Sequence, residues 1–341
     1  MKNMKFRTTL AASMLGALLV AGATGALAAD IKERTIKYAV IYDIKHPHGL
    51  GAQKFADLVA KHSGNKIKVK IYPNATLGGE VPIISAIQGG TVEMSAMATS
   101  QLVGVIKDFA ALDLPFLFNS EKEVDRVVDG PVGKMFLDKL PEKGIIGLSW
   151  FEHGFRSLTN SRRPVTKLED IQGLKIRVEQ NAVSIDAWSA LGANAVPMPF
   201  PELYTALEQK AVDGQENPYS TADSSKFYEV QKYLSVTKHK YSPLVLILSK
   251  KFWDQLSGDE KKIIQDAAAE AAVYQRKANR DLNEQYLQSL KKAGMQVNEI
   301  PAAEVERMRA KVQPVVDKYS GQIGGTLVKD LYGEIEKARK Q

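Results

Sequence analysis

The sequence contains no cysteine, so it can form no disulfide bond and offers no thiol nucleophile or thiolate metal ligand. Several enzyme motifs are missing as well: the GxSxG elbow of serine hydrolases, the phosphate-binding P-loop and the zinc-binding HExxH helix. Packing must therefore stabilise the fold, and catalysis by these routes is excluded.

A concentrated basic region is also missing. The 46 Lys and Arg residues are interspersed with 39 Asp and Glu residues, which gives a formal net charge of +7. Nucleic-acid binding requires a basic stripe or patch, so we do not expect a nucleic-acid partner.

The first 28 residues have the pattern of a secretory signal peptide. Lys2, Lys5 and Arg7 precede an apolar stretch that begins at Leu10, and an Ala-Leu-Ala sequence ends at Ala28. The apolar stretch is shorter than the ~20 residues that a membrane-spanning helix needs. We therefore predict cleavage after Ala28 and a soluble product in the periplasm.

Strand-like and helix-like segments alternate through the rest of the chain, which predicts two α/β domains with largely parallel sheets. Strands are predicted at 35–42, 66–72, 144–151, 174–178 and 244–249, and helices at 51–62, 81–88, 121–140, 183–191, 201–210 and 225–232. Ligands of such sheets bind outside the carboxyl ends of the strands.

A long helical pattern begins at the capping-box residues Ser257 and Glu260 and ends near Gly294. At 1.5 Å per residue it would extend for about 50 Å, which is longer than one small domain. We expect either a single helix along both domains or two helices with a break near Asn279.

The candidate metal ligands are weak. His46 and His48 stand two residues apart in a predicted loop, but no carboxylate follows at a recognisable ligand spacing. We predict no metal and no cofactor, and we interpret His48 as a hydrogen-bonding group in a ligand cleft.

Arg177 is the most informative charged residue, because it lies within a short strand that is apolar except for Lys175. A buried arginine costs free energy unless it meets an anion, which could be a ligand or an internal carboxylate. The alternative is that Arg177 is an exposed charge on an edge strand. Arg156 lies near a strand's carboxyl end and Asn217 precedes Pro218. Two guanidinium groups and an amide in one cleft would bind a carboxylate, although spacing alone does not show that they converge.

Several long motifs resemble one family. GLKIRV at 173–178, PMPFPELYTALE at 197–208 and VDGQENP at 212–218 are similar to substrate-binding proteins of tripartite ATP-independent periplasmic (TRAP) transporters, the DctP type. LPFLF at 114–118 and KFYEVQK at 226–232 also match. The resemblance covers nearly all of the chain after the leader.

The resemblance implies a two-domain periplasmic-binding-protein fold, with a ligand cleft between the domains and a long helix spanning both. The implied division assigns residues 29–154 and 243–282 to domain I, and residues 155–242 and 283–341 to domain II. It also implies a monomer that binds a small organic acid and delivers it to the TRAP membrane permease.

The resemblance also implies roles for individual residues. Arg177 corresponds to the arginine that grips the ligand carboxylate, Arg156 to a second arginine, Asn217 to an amide on the same carboxylate, and Phe200 to an aromatic packing on the ligand. At the far end of the pocket it points to six polar or aromatic residues, namely Glu80, His48, Thr99, Gln101, Trp150 and Glu152.

The polar residues at the far end decide the predicted ligand class. If both Glu80 and Glu152 face the ligand, a second ligand carboxylate meets like charge, whereas hydroxyl groups find acceptors. We therefore predict a sugar acid, either a uronate such as glucuronate or galacturonate or an aldonate. A C4-dicarboxylate or small hydroxy acid remains the alternative, and a periplasmic enzyme or a ligand-sensing partner of a membrane receptor is a further one.

Overall fold

The computed structural model describes residues 31–340, so the predicted signal peptide and its cleavage site lie outside the described residues. No helix in the described part of the chain is long and apolar enough to cross a membrane. The strands are β1 Arg34–Ala39, β2 Ile67–Tyr72, β3 Met94–Ala98, β4 Ile145–Asn160, β5 Lys175–Val178, β6 Asn194–Pro197, β7 Gly214–Asn217, β8 Tyr233–Ser249 and β9 Gln296–Glu299.

Helices cover both faces of these strands. They are α1 Pro47–His62, α2 Glu80–Gly89, α3 Thr99–Leu102, α4 Glu121–Val128, α5 Pro131–Leu137, α6 Ala182–Ala190, α7 Leu203–Glu208, α8 Tyr219–Ser224, α9 Lys250–Trp253, α10 Gly258–Lys292, α11 Ala302–Ile323 and α12 Gly325–Arg339.

The strands form one sheet in the order β2-β1-β3-β8-β4-β7-β5-β6, with β9 beside β8. β1 pairs in parallel with β2 and β3, and β5 pairs in parallel with β6 and β7. The first domain is built around β1–β3 and the second around β5–β7. The prediction of parallel pairing is right within each domain, whereas the two strands that join the domains, β4 and β8, are antiparallel.

β4 and β8 cross from one domain into the other. Their partnership begins at Ile145 opposite Ser249 and ends at Asn160 opposite Tyr233, with three irregularities of register on the way. One irregularity contains Gly154, whose φ of +106° is open to glycine but strained for other residues. β-Bulges bend a strand, and these lie where the two halves of the sheet meet.

Helix α10 is one continuous helix of 35 residues, without a break at Asn279. Its capping box forms as predicted, since Ser257 accepts from the N–H of Glu260 and the Glu260 carboxylate accepts from the N–H of Ser257. The first half packs Ile264 into an apolar cluster of the first domain, and Leu290 packs into a cluster of the second. The helix therefore spans both domains.

Two predicted helices differ in the structure. The helix expected over 121–140 is divided where Gly130 precedes Pro131, because proline at the first position starts a new helix. The segment 225–232 contains only a short 3₁₀ turn, which follows Lys226 in a left-handed conformation. Helix α12 packs on α4 through Leu331. The predicted domain boundaries stay a prediction.

Candidate functional site

A small cavity lies where the crossing strands meet the ends of β1, β3 and β5. Strand ends supply it because the carboxyl ends of β1, β3 and β5 point toward the junction of the domains. The lining residues are Ile41, Tyr42, His48, Glu80, Ala96, Met97, Ala98, Gln101, His153, Glu179 and Leu244.

Arg177 is buried, with 2% of its surface exposed, near the end of β5. Its Nε and Nη2 donate to the carbonyl oxygen of Met198 at 2.9 and 2.7 Å. Within residues 31–340 its Nη1 donates no hydrogen bond and its guanidinium pairs with no carboxylate. Burial lowers the pKa of Arg177, which reports the cost of keeping an unpaired charge inside the protein. The internal salt bridge that the sequence left open is therefore absent from the described residues.

Asn217 is on the same face of the second domain as Arg177. The parallel register places Arg177 beside Gln215 on β7, and Asn217 follows two residues later on the same face. Its Nδ2 donates to Oε1 of Gln215 at 2.5 Å. The guanidinium and the amide therefore lie on the same face of two neighbouring strands.

Phe200 connects this cationic region to the cavity. Its ring lies 6.0 Å from the Arg177 guanidinium carbon, and its centroid lies 4.7 Å from that of Tyr42, which lines the cavity. Phe200 is half-buried and comes from the second domain, whereas Tyr42 follows β1 of the first. The two rings therefore contact each other across the boundary between the domains, beside the cavity.

Arg156 has quite different surroundings. Its Nε and Nη2 contact the two carboxylate oxygens of Glu216 at 2.6 and 2.9 Å, and Nη2 also reaches the Glu216 carbonyl. Nη1 lies 3.4 Å from Ser242 Oγ and 3.7 Å from a Glu179 oxygen. The charge of Arg156 is thus already balanced, and only Nη1 could turn to a ligand.

Glu179 joins Arg156 to a further buried ion pair. It accepts from Lys240 Nζ at 2.7 Å, and Lys240 also donates to Asp113 at 2.9 Å. Burial alone would raise the pKa of Glu179, but Arg156 and Lys240 hold this pKa down at about 2. Asp113, also buried, has its pKa raised to about 6. Glu179 was missed in the sequence, although it directly follows β5 at the edge where ligands bind.

Glu80 opens helix α2 and faces the cavity with 9% of its surface exposed. Its Oε2 is buried without a hydrogen-bond partner, and within residues 31–340 no cation forms an ion pair with it. Burial raises the pKa of Glu80, against the attraction of Arg177 and of the backbone N–H groups of Glu80 and Phe200. This carboxyl group is therefore available to a ligand.

His48 lines the same cavity, and its Nε2 is buried without a partner. Burial lowers the pKa of His48 to about 3, so the ring is neutral. The rings of His46 and His153 are each 4.6 Å away between centroids, and Thr221 Oγ1 contacts His153 at 2.6 Å. No group of side chains suited to holding a metal ion occurs in residues 31–340. His153 was missed in the sequence because it stands at a bulge rather than at a strand end.

Three more predicted residues have unsatisfied buried atoms: Gln101 Oε1, Thr99 Oγ1 and Trp150 Nε1. Gln101 lines the cavity, and Thr99 follows the lining residue Ala98. Trp150 lies opposite Val245 on β8, one residue from the lining residue Leu244. Buried polar atoms are nearly always paired in native proteins, so this concentration indicates a site that a ligand completes.

The structure places Glu152 apart from the cavity that His48, Glu80 and Gln101 line. Its carboxylate accepts from Arg280 Nη2 at 2.7 Å, from Asn279 Nδ2 at 3.0 Å and from the hydroxyl of Tyr241. It borders a separate cavity on the α10 side of the junction. Because the bulge after Glu152 turns this part of β4 toward α10, Glu152 stabilises the contact between β4 and the long helix.

A family model for bacterial extracellular solute-binding proteins, family 7 (DctP), matches residues 39–322. The chain belongs to this DctP family. Its members are solute-binding proteins of TRAP transporters rather than enzymes, as the sequence motifs indicated. The two-domain α/β fold and the assignment to transport are thereby confirmed.

Solved structures and relatives extend this result. The chain is 47% identical to a sugar acid binding protein from Advenella mimigardefordensis in complex with galactonate, with a TM-score of 0.89 over 91% of this chain and 100% of that chain. It is 40% identical to a TRAP protein from Polaromonas bound to D-erythronate, with a TM-score of 0.85 over 88% and 98%. The C4-dicarboxylate-binding periplasmic protein DctP of Rhodobacter capsulatus is 34% identical over 92% and 93%.

Proposed function

We propose that this DctP-family protein captures a sugar acid, an aldonate or a uronate, and delivers it to a TRAP membrane permease. In this proposal the ligand carboxylate binds Arg177 and Asn217, and the hydroxyl groups face Glu80, His48, Thr99, Gln101 and Trp150. Phe200 covers the ligand from the second domain, and Arg156 contributes its Nη1 while holding the surrounding carboxylates.

The observation that carries the proposal is the unpaired guanidinium of Arg177. An arginine with 2% exposure and no carboxylate partner in the described residues costs free energy, which an anionic ligand would repay. The planar fork of arginine matches the two oxygens of a carboxylate, so the group that fits best is a carboxylate.

Hydroxyl groups suit the opposite end of the site. The unsatisfied atoms there include oxygens of Glu80 and Gln101, a ring nitrogen of His48 and the indole N–H of Trp150. A polyhydroxylated chain supplies both donors and acceptors to such a mixed set. The similarity to a galactonate complex and a D-erythronate complex supports the same ligand class.

A C4-dicarboxylate is the second candidate, supported by the similarity to the R. capsulatus protein. Of the two acidic residues predicted at the far end of the pocket, Glu80 lines the cavity and Glu152 does not, so a second ligand carboxylate would meet less negative charge there than two carboxylates would give. A second ligand carboxylate would still meet Glu80 in a water-poor space, where like charges repel strongly.

We further propose that the leader is cleaved after Ala28 and that the protein works as a periplasmic monomer. Members of this family are periplasmic binding proteins, which supports export. A ligand-sensing role beside a membrane receptor would use the same binding chemistry, and co-purification with the permease rather than with a receptor tests it.

A thermal-shift screen tests the ligand class. D-Galactonate, D-gluconate, D-glucuronate, D-erythronate and succinate are compared with galactitol, which has the hydroxyl groups of galactonate but no carboxylate. A ligand at about 100 times its Kd stabilises the fold by about 2.7 kcal/mol. We expect a shift with a sugar acid and none with galactitol; a larger shift with succinate would select the dicarboxylate alternative.

A further inference from the structure

The charges around the cavity are unequal even before a ligand arrives. Four buried or nearly buried carboxylates face only three cations. The carboxylates are Glu80, Glu179, Glu216 and Asp113, and the cations are Arg177, Arg156 and Lys240.

Three of the four carboxylates have fixed partners. Glu216 holds Arg156 at 2.6 Å and His239 at 2.9 Å, and Glu179 and Asp113 share Lys240 at 2.7 and 2.9 Å. Glu80 is the exception, because no cation in the described part of the chain forms an ion pair with it and its Oε2 has no hydrogen bond. Glu80 is therefore the one of these four carboxylates that the fold of residues 31–340 leaves without a direct ion-pair partner.

A ligand carboxylate at Arg177 would increase the imbalance. Arg177 exerts the strongest electrostatic attraction on Glu80, and a ligand anion would neutralise it. When two carboxylates share one cationic group in a buried site, the pKa of the less well solvated carboxyl group rises and it tends to take up a proton. Protonation of one carboxyl group avoids leaving an uncompensated charge buried in the protein.

The other groups that face Glu80 do not offer an alternative positive charge. From β5 these are Arg177 and the anionic Glu179, and from the segment after β1 it is Tyr42. His48 on α1 and His153 on β4 line the same cavity and are neutral, because burial lowers the pKa of each ring. The N-terminus of α2 and the Phe200 N–H favour the charged carboxylate, but they are partial charges only.

We propose that the protein binds its carboxylate ligand together with one proton, and that Glu80 takes this proton up. The inference rests on the proposed function, since it requires an anion at Arg177. A protonated Glu80 carboxyl group can donate one hydrogen bond and accept another, so it can be the donor or the acceptor toward a ligand hydroxyl group. Burial already raises the pKa of Glu80 in the ligand-free protein, and a ligand anion at Arg177 would raise this pKa further.

The pH dependence has a defined sign. A group whose pKa rises on binding gives its full contribution to affinity below the pKa of the free protein and loses it as pH increases toward the pKa of the complex. Between these two values the affinity should fall by about tenfold for each pH unit. A variant without the carboxyl group should show no such slope.

The test is calorimetry of D-galactonate binding at one pH in buffers of different ionisation enthalpy, which counts protons directly. We expect uptake of about one proton per ligand in the wild type and none in Glu80→Gln, whose affinity should not vary with pH over the range in which that of the wild type does. Asp113→Asn is the matched control, and it should retain the uptake. The same titrations are repeated with the strongest acid from the screen.

Each other outcome contradicts the proposal in a distinct way. Binding without proton uptake refutes the proton step and leaves the proposed ligand class intact. Uptake that persists in Glu80→Gln but disappears in Asp113→Asn assigns the proton to Asp113. A loss of affinity beyond about tenfold in Glu80→Gln at low pH shows that Glu80 binds as a charged acceptor. Failure of every acid to bind refutes the proposed function itself, and this inference with it.

Discussion

Arg177 and Arg156 are both buried in the second domain, with 2% and 1% exposure, yet the two have opposite surroundings. Arg156 forms a two-point ion pair with Glu216 and approaches Glu179. Arg177 contacts a single carbonyl oxygen, that of Met198, and no carboxylate in the described residues.

Two arginines that are equally buried thus have different partners, so burial alone does not identify a charge that binds a ligand. What distinguishes Arg177 is hydrogen-bonding capacity and charge that the fold leaves unused. Arg156 uses nearly all of its donors to join β4, β7 and the end of β5, so its first role is to hold the site together. Substitution of Arg156 should therefore lower the folding stability, whereas substitution of Arg177 should lower the ligand affinity.

The largest effect is expected for Arg156→Ala, and it is an effect on folding. The substitution leaves Glu216 and Glu179 buried with less compensation, which typically lowers the free energy of unfolding by about 3–5 kcal/mol. Urea denaturation of the ligand-free protein measures it. Arg162→Ala is the matched control, because that side chain is 64% exposed, and it should change stability by less than about 0.5 kcal/mol. If Arg156→Ala behaves like the control, the contrast between the two arginines is wrong.

Arg177→Ala should show the reverse pattern. Ligand affinity should fall by about 2–5 kcal/mol, because one partner of a buried charge pair is lost. Stability without ligand should stay within about 1 kcal/mol, since removal of the unpaired charge offsets the lost bonds to Met198. Arg177→Lys should also bind weakly, because an ammonium group cannot reproduce the fork. Calorimetry that places either variant within about threefold of wild type would refute the carboxylate clamp.

Much of this arrangement follows from the sequence, for local reasons. The capping box at Ser257 and Glu260 and the apolar spacing that follows it predict α10, because both signals lie within the helix itself. The short strand that carries Arg177 is also predicted from its own composition. The long motifs in turn point to the family and to most of the site.

The surroundings of the two arginines could not be predicted in this way. Whether Arg156 meets Glu216 depends on the register between β4 and β7, strands more than 50 residues apart in sequence. The bulges of β4 decide that Glu152 faces Arg280 rather than the cavity, and the polar sequence around Gly154 resembles a loop. Long-range register and local bulges are set by packing, so the sequence shows which residues are unusual and the structure shows what each one contacts.

Glu152→Gln tests whether a buried carboxylate at the edge of the site stabilises the fold or binds the ligand. The neutral amide removes the charge that Arg280 and Tyr241 contact, so the free energy of unfolding should fall by about 1–3 kcal/mol. Sugar-acid affinity should stay within about threefold of wild type, because Glu152 does not line the cavity. Parallel urea denaturation and calorimetry measure the two quantities. An affinity loss beyond tenfold with unchanged stability would show that Glu152 contacts the ligand.

The smallest effect concerns the closed state. Ser100 on α3 of the first domain donates to Glu179 of the second at 3.0 Å, which links the domains beside the cavity. Glu179 keeps Lys240 as a partner, so Ser100→Ala should not destabilise either domain, but it should weaken closure by about 0.5–1.5 kcal/mol. We expect weaker sugar-acid binding in calorimetry and a larger radius of gyration in small-angle scattering at subsaturating ligand. Ser85→Ala is the matched control, because that hydroxyl is exposed and bonds only within α2, to Val81. Equal affinity and equal scattering of the two variants would show that the Ser100 link does not contribute to closure.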